Sequence, residues 1–312
     1  MSEREIICED LSLALDDFRR KGFQLDVIYP ADAPHTAFLS SGDEIIRLTT
    51  QPGALGPSSE LPPFRSEFTL THAGADAGAG RAGMLYRDLI PNRVGGRYIA
   101  SHIAIPDGGP VADWVHYHRI AFQLIVVRSG WVRVVYEDQG EPFVTEAGDM
   151  VLQPPAIRHR VLESSPGLEV VEITCPALHE TFADHDICLP NGQLDLNRSF
   201  GGQRFLRHVA RETPWVPMNG GESQETSICN ATAGLADARI IKSAGRPVIE
   251  FPGHDGELVF GFVLGGSAQL EFGDHHALGP ADAFVIPPGG QWSVRNASAD
   301  FRLLHVTTSR LG

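Results

Sequence analysis

Apolar and polar positions follow a helical period once, near the start of the chain, and after that fall mostly in short runs of strand length. Leu11, Ala14, Leu15 and Phe18 stand at i, i+3, i+4 and i+7, the spacing that gathers side chains on one face of an α-helix. Asp10 occupies the capping position before them, and Arg19-Arg20-Lys21-Gly22 brings the cations and glycine favoured at a helix end. Strand-like runs follow from Gln24 to Tyr29, Ala37 to Leu39 and Glu44 to Thr49. From Gln51 to Pro63 the chain turns to Pro, Gly and Ser, and from His72 to Gly83 it is almost all Gly and Ala. That second stretch reads as a linker or exposed loop.

Beyond Met84 the pattern is consistently β. Runs from Arg97 to Pro106, Ala121 to Val127, Trp131 to Tyr136, Asp149 to Gln153 and Leu168 to Thr174 are each separated by a Gly- or Pro-bearing turn. Short strands at such regular spacing predict an antiparallel sandwich or barrel. The layout then repeats. RIAFQLIVVRSGWVRV (residues 119 to 134) matches DGELVFGFVLGGSAQL (255 to 270) at an offset of 136 residues. EAGDMVLQPPAIRH (146 to 159) matches ALGPADAFVIPPGGQW (277 to 292) through a shared aspartate, an apolar run and a Pro-Pro pair, at an offset of 133. A duplication explains both, so the chain is expected to hold two barrels. The predicted divisions are residues 1–75, a helix and strands packing on the barrels; 84–180, the first barrel; 181–225, a connector; and 226–312, the second barrel.

Composition narrows the function. The chain has 312 residues, 42% of them hydrophobic, and a formal net charge of −14. That charge opposes general nucleic-acid binding, which needs basic surface to displace phosphate counterions. No run of eighteen apolar residues is present and the charged N-terminus lacks an apolar signal core, so a cytoplasmic chain without a membrane span is expected. The cysteines Cys8, Cys175, Cys188 and Cys229 form no CxxC pair, which excludes a zinc ribbon and argues against a disulfide framework. Cys175 closes an apolar run and reads as a buried small hydrophobe.

The chemistry-bearing residues gather in the first barrel. His116 and His118 are two apart, so in a strand they point to one side, and His159 follows the Pro154-Pro155 turn. Three neutral imidazoles suit zinc, iron, nickel, copper or manganese and leave positions open for water or substrate. The alternative is three satisfied structural histidines among the thirteen in the chain. Tyr117, between the two inward histidines, should face outward; Trp114 and Phe122 read as packing residues. Arg97 and His102, on the run before this motif, are candidate substrate contacts if they face the barrel mouth. His179 and His185 read as part of the connector, and His275-His276 as an exposed turn.

Gly109 to Gln123, followed by Gly130, resembles the first motif of the cupin superfamily, and Gly148 to His159 resembles its second. The resemblance covers Met84 to Thr174 well and Cys229 to Thr308 weakly. It implies an all-β fold of two double-stranded β-helix barrels, jelly-roll-like, with a short N-terminal helix. It also implies one divalent transition metal (Fe, Mn, Ni or Zn) held by His116, His118 and His159, and a homodimer by analogy with two-barrel relatives. Where the family has a glutamate, this chain has Gln123, as ligand or as water orienter. A neutral amide leaves the metal's +2 charge uncompensated by the protein ligands, which favours an anionic substrate. In the second barrel His254 matches His118, but Pro252, Val259 and Trp292 stand in for His116, Gln123 and His159, so that barrel is expected to be metal-free.

The implied activity is a non-haem, dioxygenase-type oxidoreductase acting on a small organic substrate. The alternatives are a Lewis-acid isomerase, cyclase or decarboxylase, a non-catalytic ligand-binding cupin, and a storage-type structural protein. One fold hosts many chemistries, so the motifs alone do not choose among them.

Overall fold

The computed structural model describes residues 2–53, 56, 58, 60–74, 78–79 and 84–311. The helix forms at Leu11–Arg20, with the Asp10 carboxylate accepting from Leu13 N at 2.9 Å. Its apolar face meets Leu25, Ile28, Leu39, Ile46 and Leu48 to make a small core of its own. Three antiparallel strands, Gln24–Tyr29, Thr36–Ser41 and Glu44–Thr49, underlie it, and Ser2–Ile7 adds a parallel strand at their edge. Of the Gly/Ala-rich stretch read as a loop, residues 75–77 and 80–83 lie outside the described residues, and Gly78–Ala79 pairs with Leu85 and Tyr86.

The rest of the chain is two β-sandwiches of jelly-roll type, each a pair of facing sheets. In the first, His116–His118, His159–Ser164, Trp131–Tyr136 and Phe143–Glu146 face a sheet containing Met150–Leu152, Phe122–Ser129, Leu168–Cys175 and Ile99–Ile105. The strand Phe122–Ser129 is apolar almost throughout because both its faces are buried. Phe122, Leu124 and Val126 join Phe260, Phe262 and Leu304 of the second sandwich in the largest core, between the two. Ile125, of the opposite parity, lines the interior of the first.

The segments matched in the sequence occupy corresponding places in the two sandwiches. Phe122–Ser129 and Leu258–Gly265 each pair with the last strand of their sandwich, and each carries a register shift near its end. The shared aspartate does the same work twice: Asp149 accepts from Glu146 N at 3.1 Å, and Asp282 from Gly279 N at 2.8 Å. The glycine turns also correspond. Gly130 (φ +75°) and Gly266 (φ +72°) adopt left-handed backbone, and a Cβ on Gly266 would fall 2.5 Å from Phe301 Cα; a side chain would be strained and blocked there.

Within residues 181–225, expected as a connector, strands complete sheets on both sides. Thr181–Ala183 joins the metal-motif strand to Gln24–Tyr29, and Leu206–His208 pairs with Met150–Leu152. Gly221–Glu225 extends the second sandwich, so this stretch covers edges that would otherwise expose unpaired backbone. Of residues 1–75, Thr69–Thr71 pairs with Ala283–Val285 of the second sandwich.

Candidate metal centre

Strand register assembles the three histidines. His116 sits directly opposite His159 in the antiparallel pairing, and His118 lies two residues along the same strand, opposite Thr181. Ligand atoms of all three lie within 4.8 Å of one another. The ring centroids are 4.2 Å apart for His116 and His159, and 5.2 Å for His118 with either.

The second nitrogen of each ring decides what the first can do. The Trp114 carbonyl accepts from His116 Nδ1 at 2.8 Å, and the Ile157 carbonyl from His159 Nδ1 at 3.1 Å. His118 Nδ1 lies 3.0 Å from Thr181 Oγ1. A carbonyl can only accept, so in His116 and His159 the proton is on Nδ1 and the Nε2 lone pair is left for a metal. Asp113 stands 3.5 Å behind His116 Nδ1, a carboxylate–histidine arrangement that raises ligand basicity. The set therefore fits a divalent transition metal. Thr181→Val, which removes the Oγ1 partner of His118, is expected to weaken metal affinity about tenfold, read by competition with a chromogenic chelator.

Gln123 approaches from the opposite sheet. Its Oε1 accepts from Gln153 Nε2 at 2.7 Å, and that same nitrogen is 3.4 Å from His159 Nε2. Gln153 Oε1 accepts in turn from the Tyr136 hydroxyl at 2.5 Å. Burial pushes the Tyr136 phenol far up, assisted by the Glu172 charge, so it remains a neutral donor. Gln153, Tyr136 and Glu172 escaped the sequence reading. Gln153 and Tyr136 both belong to strands expected from the sequence, but strand period alone does not say which of its two faces meets the site.

The cavity beside the triad measures about 130 Å³. Its walls are mostly aliphatic, with Ile103, Ile125, Val134, Val151, Leu168 and Val170 among them. Glu172 and Asp32 also line it, and among the described residues no lysine or arginine does. The neutral amide of Gln123 is thus not the only determinant of charge here. Asp32 and Tyr86 also border a wider outer cleft lined by the N-terminal helix.

Arg97 and His102 do not face this cavity. Arg97 Nη1 reaches Glu257 at 2.5 Å and its Nε donates to the Pro62 carbonyl at 2.7 Å, a tie between the sandwiches. His102 has the opposite parity to Ile103 and Ile105, so it turns away from the interior, 2.8 Å from Glu169 and against Phe262. Burial holds its pKa below the ordinary histidine range. Tyr117 faces outward, stacked on Phe182 at 5.0 Å with the Arg158 guanidinium over it. His179, assigned to the connector, is packed edge-to-face on His118 at 5.5 Å, and burial lowers its pKa to about 4. His185 bonds the Leu25 carbonyl at 2.8 Å. Burial pushes the Cys175 thiol up to about 12, which leaves it inert as a nucleophile.

The second sandwich is filled where the first is hollow. Trp292 stacks on Phe251 at 3.7 Å, and His305 packs 5.7 Å from the indole, its pKa lowered to about 3 by burial. His254 Nε2 donates to the Ile286 carbonyl at 3.0 Å, which turns that nitrogen away from ligation. Among the described residues no group of three ligating side chains occurs there. His254→Ala is expected to leave metal content unchanged by elemental analysis; any loss would place a ligand in this sandwich.

Comparison with known proteins agrees on the fold. No protein-family model matches the sequence, and no curated protein matches it either. Solved structures do match. A glyoxylate-induced protein of Pseudomonas aeruginosa superposes with a TM-score of 0.58 at 12% identity, covering 82% of this chain and 95% of the other. A salicylate 1,2-dioxygenase variant from Pseudoaminobacter salicylatoxidans gives 0.55 at 14% identity, covering 72% and 75%. A variant of Bacillus subtilis oxalate decarboxylase gives 0.54 at 11% identity, covering 85% and 81%. These neighbours are cupins, and at such identity the likeness is one of fold. Among the described residues no helix is long and apolar enough to cross a membrane.

Proposed function

We propose that this chain is a metal-dependent enzyme of the cupin type that acts on a small organic substrate, with dioxygenase-type oxidation as the leading reaction class. The observation that carries the reading is the convergence of three histidines, each with Nδ1 engaged, on the wall of a mostly apolar cavity. The similarity in fold to a salicylate dioxygenase and an oxalate decarboxylase supports it, and the decarboxylase is described as having Mn(II) centres.

His116, His118 and His159 would hold the metal through Nε2. A divalent transition metal supplies Lewis-acid polarisation of substrate oxygens or redox chemistry. The chain's own residues do the rest. Gln153 and Tyr136 brace Gln123, which serves as a fourth ligand or orients a water. The aliphatic walls exclude bulk water and hold the body of the substrate.

Elemental analysis of the untagged protein, compared with His118→Ala, tests this. One redox-active metal per chain in wild type, lost in the variant, followed by oxygen uptake with phenolic or diketone substrates, is the expected result. Absence of metal after reconstitution would overturn the enzyme reading.

A further inference from the structure

We infer that Asp32 is a substrate-binding residue where the metal cavity opens into the outer cleft, its free oxygen accepting a hydrogen bond from a hydroxyl at the far end of the substrate. This rests on the metal-centre reading above. Asp32 lines both the cavity and the cleft. Strand pairing brings it there, because His118, Thr181 and Ile28 lie side by side across three strands. The chain leaving that third strand stays close to the ligands. Ala31 N donates to the His179 carbonyl at 3.0 Å, and His179 packs on His118.

The two carboxylate oxygens of Asp32 are placed differently. Oδ2 accepts from Arg93 Nη2 at 3.0 Å. Oδ1 is buried and meets no donor among the described residues. A buried acceptor without a donor is costly, so such atoms are paired by water or by a ligand. Arg93 is itself held in place. Its Nε reaches Asp88 at 3.3 Å, and Arg93 and Val94 both adopt left-handed backbone, φ +50° and +51°. That conformation is strained for valine. Asn92 secures it, accepting from Val94 N at 3.2 Å and donating to Glu67 at 2.8 Å. Strain maintained in this way is a mark of a positioned site.

Arg93 offsets the charge of Asp32, so the pair adds little net charge opposite the metal dication. An ammonium at Oδ1 would be repelled by both cations, whereas an uncharged hydroxyl is not. The two ends of the site therefore ask for opposite things: the metal takes lone pairs, and Asp32 takes a hydrogen. The substrate class that meets both is a chelator with oxygens at one end and an uncharged hydroxyl at the other.

The test is anaerobic calorimetric binding to the protein holding its own metal. The probes are catechols carrying a hydroxymethyl or a methoxymethyl group, at ring position 3 or 4. The ether accepts a hydrogen bond but cannot donate one. At one ring position or both, the hydroxymethyl probe is expected to bind about tenfold tighter than its ether. In Asp32→Asn, Arg93 holds the amide oxygen, and the amide nitrogen puts a donor where Oδ1 stood. The ratio is then expected to fall to about one, since both probes can accept. A structural role for Asp32 would weaken both probes together and leave the ratio intact. Equal binding of hydroxymethyl and methoxymethyl probes to wild type overturns the inference, whether or not the variant folds. An unchanged ratio in the folded variant overturns it too, as does failure of every probe to bind. Metal content is measured first. A wild type without metal sinks the metal-centre reading and this inference with it, whereas loss of metal in Asp32→Asn alone would make Asp32 a ligand and overturn only the inference.

Discussion

His116→Ala and His159→Ala are each expected to reduce bound metal from one per chain to below about a tenth of that under equal chelator challenge. The two residues face each other across one antiparallel pair, so either deletion removes a third of the nitrogen donors. The carbonyls of Trp114 and Ile157 then have no imidazole to orient. Neither change removes a large apolar side chain, so the sandwich should remain folded, which circular dichroism checks. Full retention of metal in either variant would dissolve the triad.

The second large effect lies away from the metal. Arg97 and Glu257 join the two sandwiches with 12% and 4% of their side chains exposed, and Tyr98 adds its hydroxyl to Thr308 Oγ1 at 2.8 Å beside them. Glu257→Gln keeps the shape but leaves a buried guanidinium without its counter-charge. Breaking one partner of such a pair costs about 3–5 kcal/mol. The urea midpoint should fall accordingly, with metal content per folded chain unchanged. A shift no larger than that of an exposed pair, about 1 kcal/mol or less, would show that Arg97 is not committed to the interface. This is also why Arg97 makes a poor substrate contact: its charge is already spent holding the halves together.

Much of the fold was legible because local pattern and global architecture agree. The helix from Leu11, its Asp10 cap, the strand from Trp131 to Tyr136 and the repeated Asp–apolar–Pro-Pro segments each follow from period or turn chemistry within a dozen residues. The histidine pair at 116 and 118 was legible for the same reason, since two-residue spacing in a strand has one geometric outcome. Trp292 in the slot of His159 led to the expectation of a metal-free second barrel, and the structure stacks that indole on Phe251.

What escaped depends on pairing between distant segments. Nothing near Glu172 or Gln153 marks which face of the strand is hollow, and only the packing of one sandwich on the other decides it. Thr181, read as connector, becomes the partner of His118 because Thr181–Ala183 is drawn into the sheet between residues 24–29 and the metal strand. Arg97 and His102 sat on the right strand or beside it, yet one is claimed by Glu257 and the other is turned outward by parity. Periodicity is a short-range property, so residue order alone determined that three imidazoles could meet and that the chain folds as β-sandwiches. Which side chains surround those imidazoles, and the charge and volume they leave, are set by long-range register and inter-sheet packing, which only the tertiary structure decides.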